Sequence, residues 1–371
     1  MSACGMSKPA VAMAVFLPML AAAAANEHQV LVPRVVVVTA FPPELARWKA
    51  RLPLDDELPF PGGAGLQSLA WNGSLQVLAM VTGMSSKNAS LSVTALGYDP
   101  RFDLTAATWL LAGIAGVDPM FGTVGGVAWM QRLVDGTVAK YLNEKDMPQD
   151  WETGWIPTNR DRPYGLPPQS PGARAGSVKL LAPSLVQWAH SITQFLKLPD
   201  LEEFQRVRRH YAPCCAAAAQ APSVEMGDLL ATDVFWTGPT QASWARNWTS
   251  YWLPAGGDVW DRKGVFAMSA MEDFATAEAI DALHRSGRSR GLEALLVLRA
   301  ASNFVQPWPG HSTGASMDFF LEPACEAAFL VGSEVVQKLV PAGAPRTCPA
   351  LLNSTAADCL MEHSETIDVK P

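Results

Sequence analysis

Residues 108–119 form a glycine-containing stretch whose backbone groups could bind a ligand. It begins as an apolar run, as a buried strand does, and then reaches Gly113, Ala115 and Gly116. A strand that ends in glycines lets a ligand approach the backbone closely and offers N–H groups to an oxygen-rich molecule. Many α/β proteins have such a turn for packing alone, so the stretch is a candidate that needs support from other segments.

Two acidic residues follow other predicted strands. Glu44 comes after a β-branched run at residues 33–40, and Glu272 follows Met271 at a predicted strand end. Each has a structural alternative, because a carboxylate in the first turn of a helix stabilises the helix dipole and both stretches lead into helical sequence. A buried carboxylate also needs partners, and the hydroxyl groups of a ligand can supply them.

Two uncharged side chains complete the set of candidates. Phe235 ends a predicted strand, where its ring could stack on a base, although phenylalanine is more often a core residue. Asn303 ends the last buried strand, and its amide can both donate and accept hydrogen bonds. The structural alternative for Asn303 is a turn before Pro307, because short polar side chains bond their own backbone.

The candidates follow segments that alternate between strand and helix patterns. The predicted strands are residues 33–40, 108–112 and 295–301, a strand followed by a turn over residues 224–235, a hairpin with strands at 67–70 and 76–82, and a strand that leads into a helix over residues 264–280. Helical spacing is seen from residue 45 and in residues 89–96, 180–196 and 317–339. This alternation predicts an α/β fold with a mostly parallel central sheet flanked by helices. In such sheets ligands bind beyond the carboxyl ends of the strands.

Several segments give weaker patterns. Residues 122–129 and 133–139 are predicted as two short strands, and residues 214–221 as a surface loop. Residues 146–176 are rich in Pro, Gly, Trp and Arg, which predicts an irregular insertion within one domain. The basic residues 206–210 are predicted to form a solvated helix face.

Composition limits the classes of function. Of the 371 residues, 49% are hydrophobic and 17% are charged, and the formal net charge of −7 argues against a nucleic-acid-binding surface. Residues 1–25 combine Lys8, an apolar run and small residues at a cleavage site, so we predict a signal peptide followed by a single α/β domain at residues 26–371. No later run of about 20 apolar residues occurs, so stable membrane insertion is not expected.

The cysteines indicate an exported protein rather than a metal site. Cys348 and Cys359 bracket a short loop and could pair outside the cytoplasm. Cys214 and Cys215 are adjacent in sequence and are not expected to form a disulfide with each other. No metal-ligand spacing such as Cys-x-x-Cys is found, so we expect neither a metal nor another cofactor.

The order and spacing of five strand-end stretches resemble the nucleoside phosphorylase and nucleosidase superfamily. These stretches are residues 39–44, 113–116, 232–235, 271–272 and 299–303. From about residue 33 to residue 340, the chain is similar to the branch called purine nucleoside permeases. The resemblance implies a nucleoside phosphorylase-like fold and a purine nucleoside as ligand, with phosphate as co-substrate if cleavage is phosphorolytic.

The resemblance also implies roles near the sugar and the nucleophile. Glu44, in an Ala-x-x-x-Glu setting, matches the glutamate that activates the attacking water. Gly113, Ala115 and Gly116 match a Gly-Ser-Ala-Gly turn near the ribose, with Ile114 in place of the serine.

Further roles concern the sugar and the base. The Met271–Glu272 pair matches residues that grip the sugar, with Glu272 accepting hydrogen bonds from two ribose hydroxyls and Met271 packing beneath the ring. Phe235 matches the aromatic side chain that stacks on the base. The strand-end acid that protonates the purine falls on Asn303.

Three departures from the superfamily pattern modify these expectations. Asn303 is an amide and cannot donate a proton as an aspartic acid does. In superfamily members, an asparagine at this position goes with 6-oxopurines, so the resemblance implies that inosine and guanosine are preferred. Ala270 stands where nucleosidases often have a second glutamate. Phosphorylases of the superfamily bind phosphate through arginines, and no arginine adjoins residues 113–116 in the sequence, which favours hydrolysis over phosphorolysis.

The sequence therefore predicts a secreted, periplasmic or cell-surface protein that binds purine nucleosides and cleaves their N-glycosidic bond, with a homo-oligomer as one possible assembly. A non-catalytic or weakly catalytic protein that serves nucleoside uptake is the alternative, and Asn303 and Ala270 favour it. A dinucleotide-dependent enzyme, with Asp135 binding the ribose, does not fit, because the G-x-G-x-x-G pattern is missing.

Overall fold

The described part of the chain alternates strands with helices. A computed structural model describes residues 30–165, 176–314 and 319–340, so the predicted signal peptide and the Cys348–Cys359 pair lie outside the described residues. The strands are β1 Val35–Thr39, β2 Asp56–Pro59, β3 Ser68–Asn72, β4 Val77–Val81, β5 Thr108–Val117, β6 Val127–Asp135, β7 Ala139–Tyr141, β8 Trp155–Pro157, β9 Val178–Leu180, β10 Val224–Ala231, β11 Phe266–Ala270 and β12 Leu295–Phe304. The α-helices are α1 Pro42–Arg51, α2 Ser86–Gly97, α3 Pro183–Thr193, α4 Glu202–Arg208, α5 Pro239–Trp252, α6 Asp273–Arg285 and α7 Leu321–Leu339.

The central strands are buried along their whole length. Every residue of β1, β4 and β12 is buried, as expected for strands whose two faces are both covered. Strand β1 pairs in parallel with β4 and β5, β12 pairs in parallel with β5, and β10 pairs in parallel with β6 and β11. The predicted α/β fold with a mostly parallel central sheet flanked by helices is therefore confirmed.

The sheet curls back on itself, which the sequence did not predict. Its strand order is β11-β10-β6-β12-β5-β1-β4-β3-β2, and β11 also pairs with the end of β5, where Met268 is the partner of Val117. The register of β12 against β5 shifts between Ala301 and Asn303, and such a bulge bends a strand. The closure brings the end of β11 to the ends of β5 and β12.

Several predicted boundaries were wrong. Strand β5 does not end at Gly113 but continues to Val117, with both glycines inside it. The two short strands predicted at residues 122–129 and 133–139 are one strand, β6. Helix α3 begins at Pro183, because Leu180 belongs to β9, and α7 begins at Leu321. The hairpin is confirmed, with β3 and β4 antiparallel.

The segment at residues 214–221 is not the simple surface loop that was predicted. Cys214 and Cys215 are joined by a disulfide, so the expectation that they would not pair was wrong. Both backbone N–H groups donate to the carbonyl of Tyr211, a tight turn that brings the adjacent side chains together. Cys215 and Ala218 are buried against the core, which explains the small residues of this segment.

Helix α7 packs across α1, β5 and β12. Its Phe329 meets Trp48 of α1 edge to face at 5.2 Å, and both rings are almost completely buried. Gly332 lies against the same indole, since a Cβ there would be 3.0 Å from the Trp48 ring. This contact holds α1, whose first turn contains Glu44, against α7.

Part of the predicted insertion is regular. Strand β8 lies inside it and pairs with β7 as a separate two-stranded sheet. In residues 30–165, 176–314 and 319–340, we find no helix whose length and apolar character would let it span a bilayer.

Candidate functional site

One cavity of about 420 Å³ lies at the carboxyl ends of five strands. A cavity of this size falls within the range of small-molecule sites. Residues from the ends of β1, β5, β10, β11 and β12 line it. Of the residues predicted from the sequence, the lining includes Glu44, Ala115, Gly116, Phe235, Met271, Glu272 and Asn303.

Glu44 is held by three backbone N–H groups. Its Oε2 accepts from Ala40 at 2.6 Å and from Phe41 at 3.4 Å, and its Oε1 accepts from Ile114 of β5 at 2.8 Å. The Phe41 bond is the helix-start contact expected for a glutamate in the third position of α1. The Ile114 bond is different, because it ties the carboxylate to a second strand end and directs it to the cavity.

Burial raises the pKa of Glu44 to about 7, although Arg299 and the Ala40 and Ile114 N–H groups favour the charged form. Removing a carboxylate from water disfavours its charge, and here that effect exceeds the hydrogen bonds. A carboxyl group with a pKa near neutrality can accept and release a proton at physiological pH.

Gly113 does not line the cavity, unlike Gly116 and Ala115. It lies behind Glu44, where a Cβ would come within 2.5 Å of Glu44 Oε1 and even closer to Arg299 Nη1. The glycine is therefore needed because two buried charged groups pack against the strand. The backbone N–H that follows it donates to Glu44 itself rather than to a ligand.

Arg299 is the residue that the sequence analysis overlooked. No arginine adjoins residues 113–116 in the sequence, but Arg299 is the register partner of Gly113 in the sheet, and only 1% of its surface is exposed. Its Nη1 donates to the Ile114 carbonyl at 3.1 Å and lies 4.0 Å from Glu44. A charged residue inside the apolar run 295–301 was the available signal, because a buried charge requires partners.

The partners of Arg299 are two consecutive acids. Glu272 Oε2 accepts from Nη2 at 3.2 Å, while Asp273 accepts from Nε and Nη2, both at 2.8 Å. Burial raises the pKa of Glu272; Arg299 opposes this shift and the Asp273 charge adds to it. Arg299 thus joins the carboxyl groups at the start of α6 to that of Glu44 in α1.

The second oxygen of Glu272 holds the loop before α2. Its Oε1 accepts from the N–H of Ser85 at 3.0 Å, and Ser85 has a φ of 90°. Ser86 donates to Asp233 through both its N–H, at 2.7 Å, and its hydroxyl, at 2.5 Å. The loop residue Met84 consequently lines the cavity, with 58% of its surface exposed.

Asn303 has an amide whose orientation is fixed locally. Its Oδ1 accepts from the hydroxyl of Ser302 at 2.9 Å, and its Nδ2 donates to the carbonyl of Phe304 at 3.2 Å. These bonds fit the predicted local role, yet one N–H of the amide is left for a ligand in the cavity. Asn303 is buried, with 2% exposed, beside Gly116, where a Cβ would be 3.2 Å from Nδ2.

Aromatic and sulfur side chains form the wall of the cavity. Phe235 is 43% exposed and its ring centre lies 5.2 Å from that of Phe319, with the rings inclined by 49°. Met271 lines the same cavity. Trp236 buries its indole N–H with no hydrogen-bond partner among the described residues. This wall offers apolar faces to a planar ring, with the polar groups gathered at the floor.

Sequence comparisons relate this chain to fungal proteins. A sequence model of purine nucleoside permeases matches residues 32–342. A purine nucleoside permease of Candida albicans is 24% identical over 319 residues, which cover 83% of this chain and 75% of that protein. A probable purine nucleoside permease of Schizosaccharomyces pombe is 24% identical over 297 residues, which cover 75% of this chain and 80% of that protein.

Comparison with solved structures finds bacterial nucleosidases and hydrolases. One is the 5′-methylthioadenosine/S-adenosylhomocysteine nucleosidase of Helicobacter pylori, at 14% identity and a TM-score of 0.49, covering 84% of this chain and 100% of that one. Another is the futalosine hydrolase of Helicobacter pylori, at 13% identity and a TM-score of 0.48, covering 82% and 98%. Because the family model spans nearly all of the described residues, including every strand end that lines the cavity, the chain belongs to the purine nucleoside permease family.

Proposed function

We propose that this protein binds a purine nucleoside in the cavity and hydrolyses its N-glycosidic bond. The observation that carries the proposal is a pair of buried carboxyl groups at the floor of one cavity, Glu44 and Glu272, which face the same guanidinium at 4.0 Å and 3.2 Å. The names of the fungal relatives, which refer to purine nucleosides, support the ligand class.

Glu272 is suited to hold the ribose. A carboxylate can accept hydrogen bonds from two neighbouring hydroxyls, and a bond to a charged group contributes about 1.5–3 kcal/mol. Met271 packs beneath the sugar, and the exposed face of Phe235 stacks on the base, a contact that contributes roughly 1–3 kcal/mol in nucleic-acid complexes. The ribose hydroxyls take the place of the Ser85 N–H or add to it at Oε1.

Glu44 is suited to activate water. The ionised carboxylate takes a proton from a water molecule as the water oxygen bonds to C1′ of the ribose and the bond from C1′ to the base breaks. The products are free ribose and a purine that takes a proton from solvent, because the Asn303 amide has no acidic proton to give. Glu272 and Glu44 together stabilise the positive charge that develops on the sugar.

Asn303 is suited to a 6-oxopurine. Its remaining N–H can donate to O6 or N7, and its oxygen has a second lone pair for the N1–H that inosine and guanosine carry. Adenine presents an amino group and an unprotonated N1 instead. We therefore propose that inosine and guanosine are preferred over adenosine.

A nucleoside-binding protein that serves uptake is the second candidate. The observation that favours it is the lack of a proton donor at Asn303, together with a Glu272 whose two oxygens are already engaged. In that case the cavity binds nucleosides tightly and cleaves them slowly or not at all.

We further propose that residues 1–25 are removed on export and that residues 26–371 act outside the cytoplasm, as a monomer or a homo-oligomer. The basis is the sequence of the first 25 residues. N-terminal sequencing of the protein recovered from outside the cytoplasm checks this; a chain that still begins at Met1 would contradict it.

The deciding experiment incubates the purified protein with inosine, guanosine and adenosine, with and without phosphate, and separates free base, ribose and ribose 1-phosphate by chromatography. We expect free hypoxanthine and ribose from inosine without phosphate, and cleavage slower by about 100-fold or more in Glu44→Gln. Ribose 1-phosphate formed only with phosphate would show a phosphorylase. Binding by calorimetry without any free base would favour the uptake protein.

A further inference from the structure

Asp273 is a buried acid that points away from the candidate ligand. It is 0% exposed and is not among the described residues that line the cavity. Its two oxygens meet Nε and Nη2 of Arg299 side by side, both at 2.8 Å. A bidentate Arg–carboxylate pair of this kind fixes the position of the guanidinium and offsets its positive charge.

Arg299 has few donors left for a ligand. Its N–H groups make two bonds to Asp273, one to Glu272 and one to the Ile114 carbonyl. A guanidinium has five N–H donors, and the remaining one is on Nη1, which lies 4.0 Å from Glu44. Among the described residues that line the cavity, Arg299 is the only one with a positive charge.

The charge balance at the cavity floor is unfavourable for an anion. One guanidinium faces three carboxyl groups, those of Glu44, Glu272 and Asp273. Asp273 offsets the charge of Arg299, so Glu272 and the ionised fraction of Glu44 leave the floor negative. Phosphate carries one to two negative charges at neutral pH, and buried charges of the same sign repel strongly because little water screens them.

We propose that Asp273 is a positioning residue that selects water over inorganic phosphate as the nucleophile by keeping Arg299 committed to carboxylates. This rests on the proposed nucleoside cleavage. In phosphorolysis a phosphate oxygen would bond to C1′ while the bond to the base breaks, giving ribose 1-phosphate, and the anion would need a free cation at the floor. In hydrolysis the water proton passes to Glu44, and no free cation is needed.

The test measures phosphate binding in Asp273→Asn, where the amide oxygen can still accept from Arg299 but the negative charge is gone. Thermal unfolding is followed in sodium phosphate and in sodium chloride at equal pH and ionic strength, since a ligand of the folded state raises Tm. We expect no phosphate-specific rise for the wild type and a clear rise for Asp273→Asn, corresponding to phosphate binding at least roughly tenfold tighter. Inosine should compete with that phosphate.

Asp118 supplies a matched control. It is buried, 1% exposed, and forms a two-pronged pair with Arg246 at 2.6 and 2.7 Å, outside the residues that line the cavity. Asp118→Asn should give no phosphate binding that inosine competes with. Asp273→Ser, which removes the charge and leaves room for water, is measured in parallel, so that poor folding of one variant does not prevent the test.

Two further readouts separate positioning from a purely structural role. Asp273→Asn should lower the apparent pKa of the rate below that of the wild type, because an unbalanced Arg299 stabilises ionised Glu44 more strongly. Unchanged phosphate affinity and an unchanged pH profile in folded Asp273 variants would overturn the inference. Phosphate binding is measured without turnover. Failure of the proposed function, seen as a wild type that cleaves no nucleoside, is therefore distinguished from failure of this inference, seen as an unchanged phosphate affinity in the Asp273 variants.

Discussion

Glu44 accepts hydrogen bonds from three backbone N–H groups, yet its pKa is higher than that of a carboxyl group in water. Hydrogen bonds and Arg299 lower the pKa of a carboxyl group and burial raises it, and burial has the larger effect at this site. The same group is therefore a helix-start residue of α1 and a carboxyl group whose pKa is raised to about 7. The helix-start role is seen in the structure, and the same contacts leave the carboxyl group facing the cavity.

The first prediction concerns the pH dependence of Glu44. The base must be ionised, so the rate should rise with pH up to about 7 and then level off. Glu44→Gln should lower kcat by about 100-fold or more, the usual contribution of a general base. Initial rates of hypoxanthine release between pH 5 and 9 measure both effects.

Stability should show the opposite trend with pH. The pKa of Glu44 is raised from 4.5 to about 7, so the folded state binds the proton more tightly than the unfolded state. Its contribution to stability is complete below about pH 4.5 and is lost as the pH rises through 7. Urea unfolding at pH 5 and 8 should show a smaller difference for Glu44→Gln than for the wild type; an equal difference would contradict the raised pKa.

The second prediction concerns the base and Asn303. Asn303→Asp introduces an acid that can donate a proton to N7 of adenine, so the ratio of kcat/KM for adenosine over inosine should rise, by roughly tenfold or more. Competition between the two nucleosides in one reaction measures the ratio directly. If the ratio in Asn303→Asp equals that of the wild type, the amide only orders the end of β12 through its bonds to Ser302 and Phe304.

At the scale of elements, β5 and β12 do most to build the site. Their parallel pairing sets Gly113 beside Arg299, although 186 residues separate them in the chain, as the register shows. The bulge after Ala301 turns Ser302 and Asn303 to the same end of the cavity. The glycines of β5 thus make room for side chains of the neighbouring elements instead of forming a ligand loop.

The third prediction concerns the space beside Gly113 that Glu44 and Arg299 occupy. Gly113→Ala places a Cβ within 2.5 Å of Glu44 and closer still to Arg299, so the buried pair must move. We expect a loss of stability of about 1–3 kcal/mol, as for other overpacked cores, and a larger loss of nucleoside affinity and turnover. Denaturant unfolding and calorimetry with inosine give the two quantities.

Gly122→Ala is the matched control for Gly113→Ala. A Cβ at Gly122 meets Val117 at 3.5 Å, an ordinary contact, and the residue lies outside the cavity lining. Its stability and inosine affinity should stay near those of the wild type. Equal effects of the two substitutions would show that the space at Gly113 has no special relation to the site.

For the whole molecule, the strand ends meet only because the sheet closes and α7 packs over it. The second pairing of β11, with β5, brings Met271 and Glu272 to the cavity, and the Trp48–Phe329 contact holds α1 against α7. Helix α7 contributes Leu321 to the cavity lining, whereas its buried Phe329 is not part of that lining.

The fourth prediction separates stability from binding at this scale. Phe329→Ala removes a fully buried ring and should destabilise the protein by about 3–5 kcal/mol. The inosine affinity of the molecules that remain folded should change little, because Phe329 is not part of the cavity lining. Unfolding curves with and without saturating inosine test this, and an inosine-induced Tm shift much smaller than that of the wild type would contradict it.

The sequence alone determined the α/β fold, the family and the strand ends that carry the candidate residues, because burial patterns and short motifs are local properties of the chain. The apolar run before Thr39 and the Met271–Glu272 pair could be read without any knowledge of neighbours. What local patterns cannot contain is pairing between distant segments. The closure of β11 onto β5 and the Arg299–Asp273 pair were therefore missed. The disulfide of the adjacent Cys214 and Cys215 was wrongly predicted for a different reason, because it depends on the tight turn at the Tyr211 carbonyl and not on the spacing of the two cysteines. Only the tertiary structure decided which groups face Glu44, since a buried charge is defined by partners that the chain brings from far away.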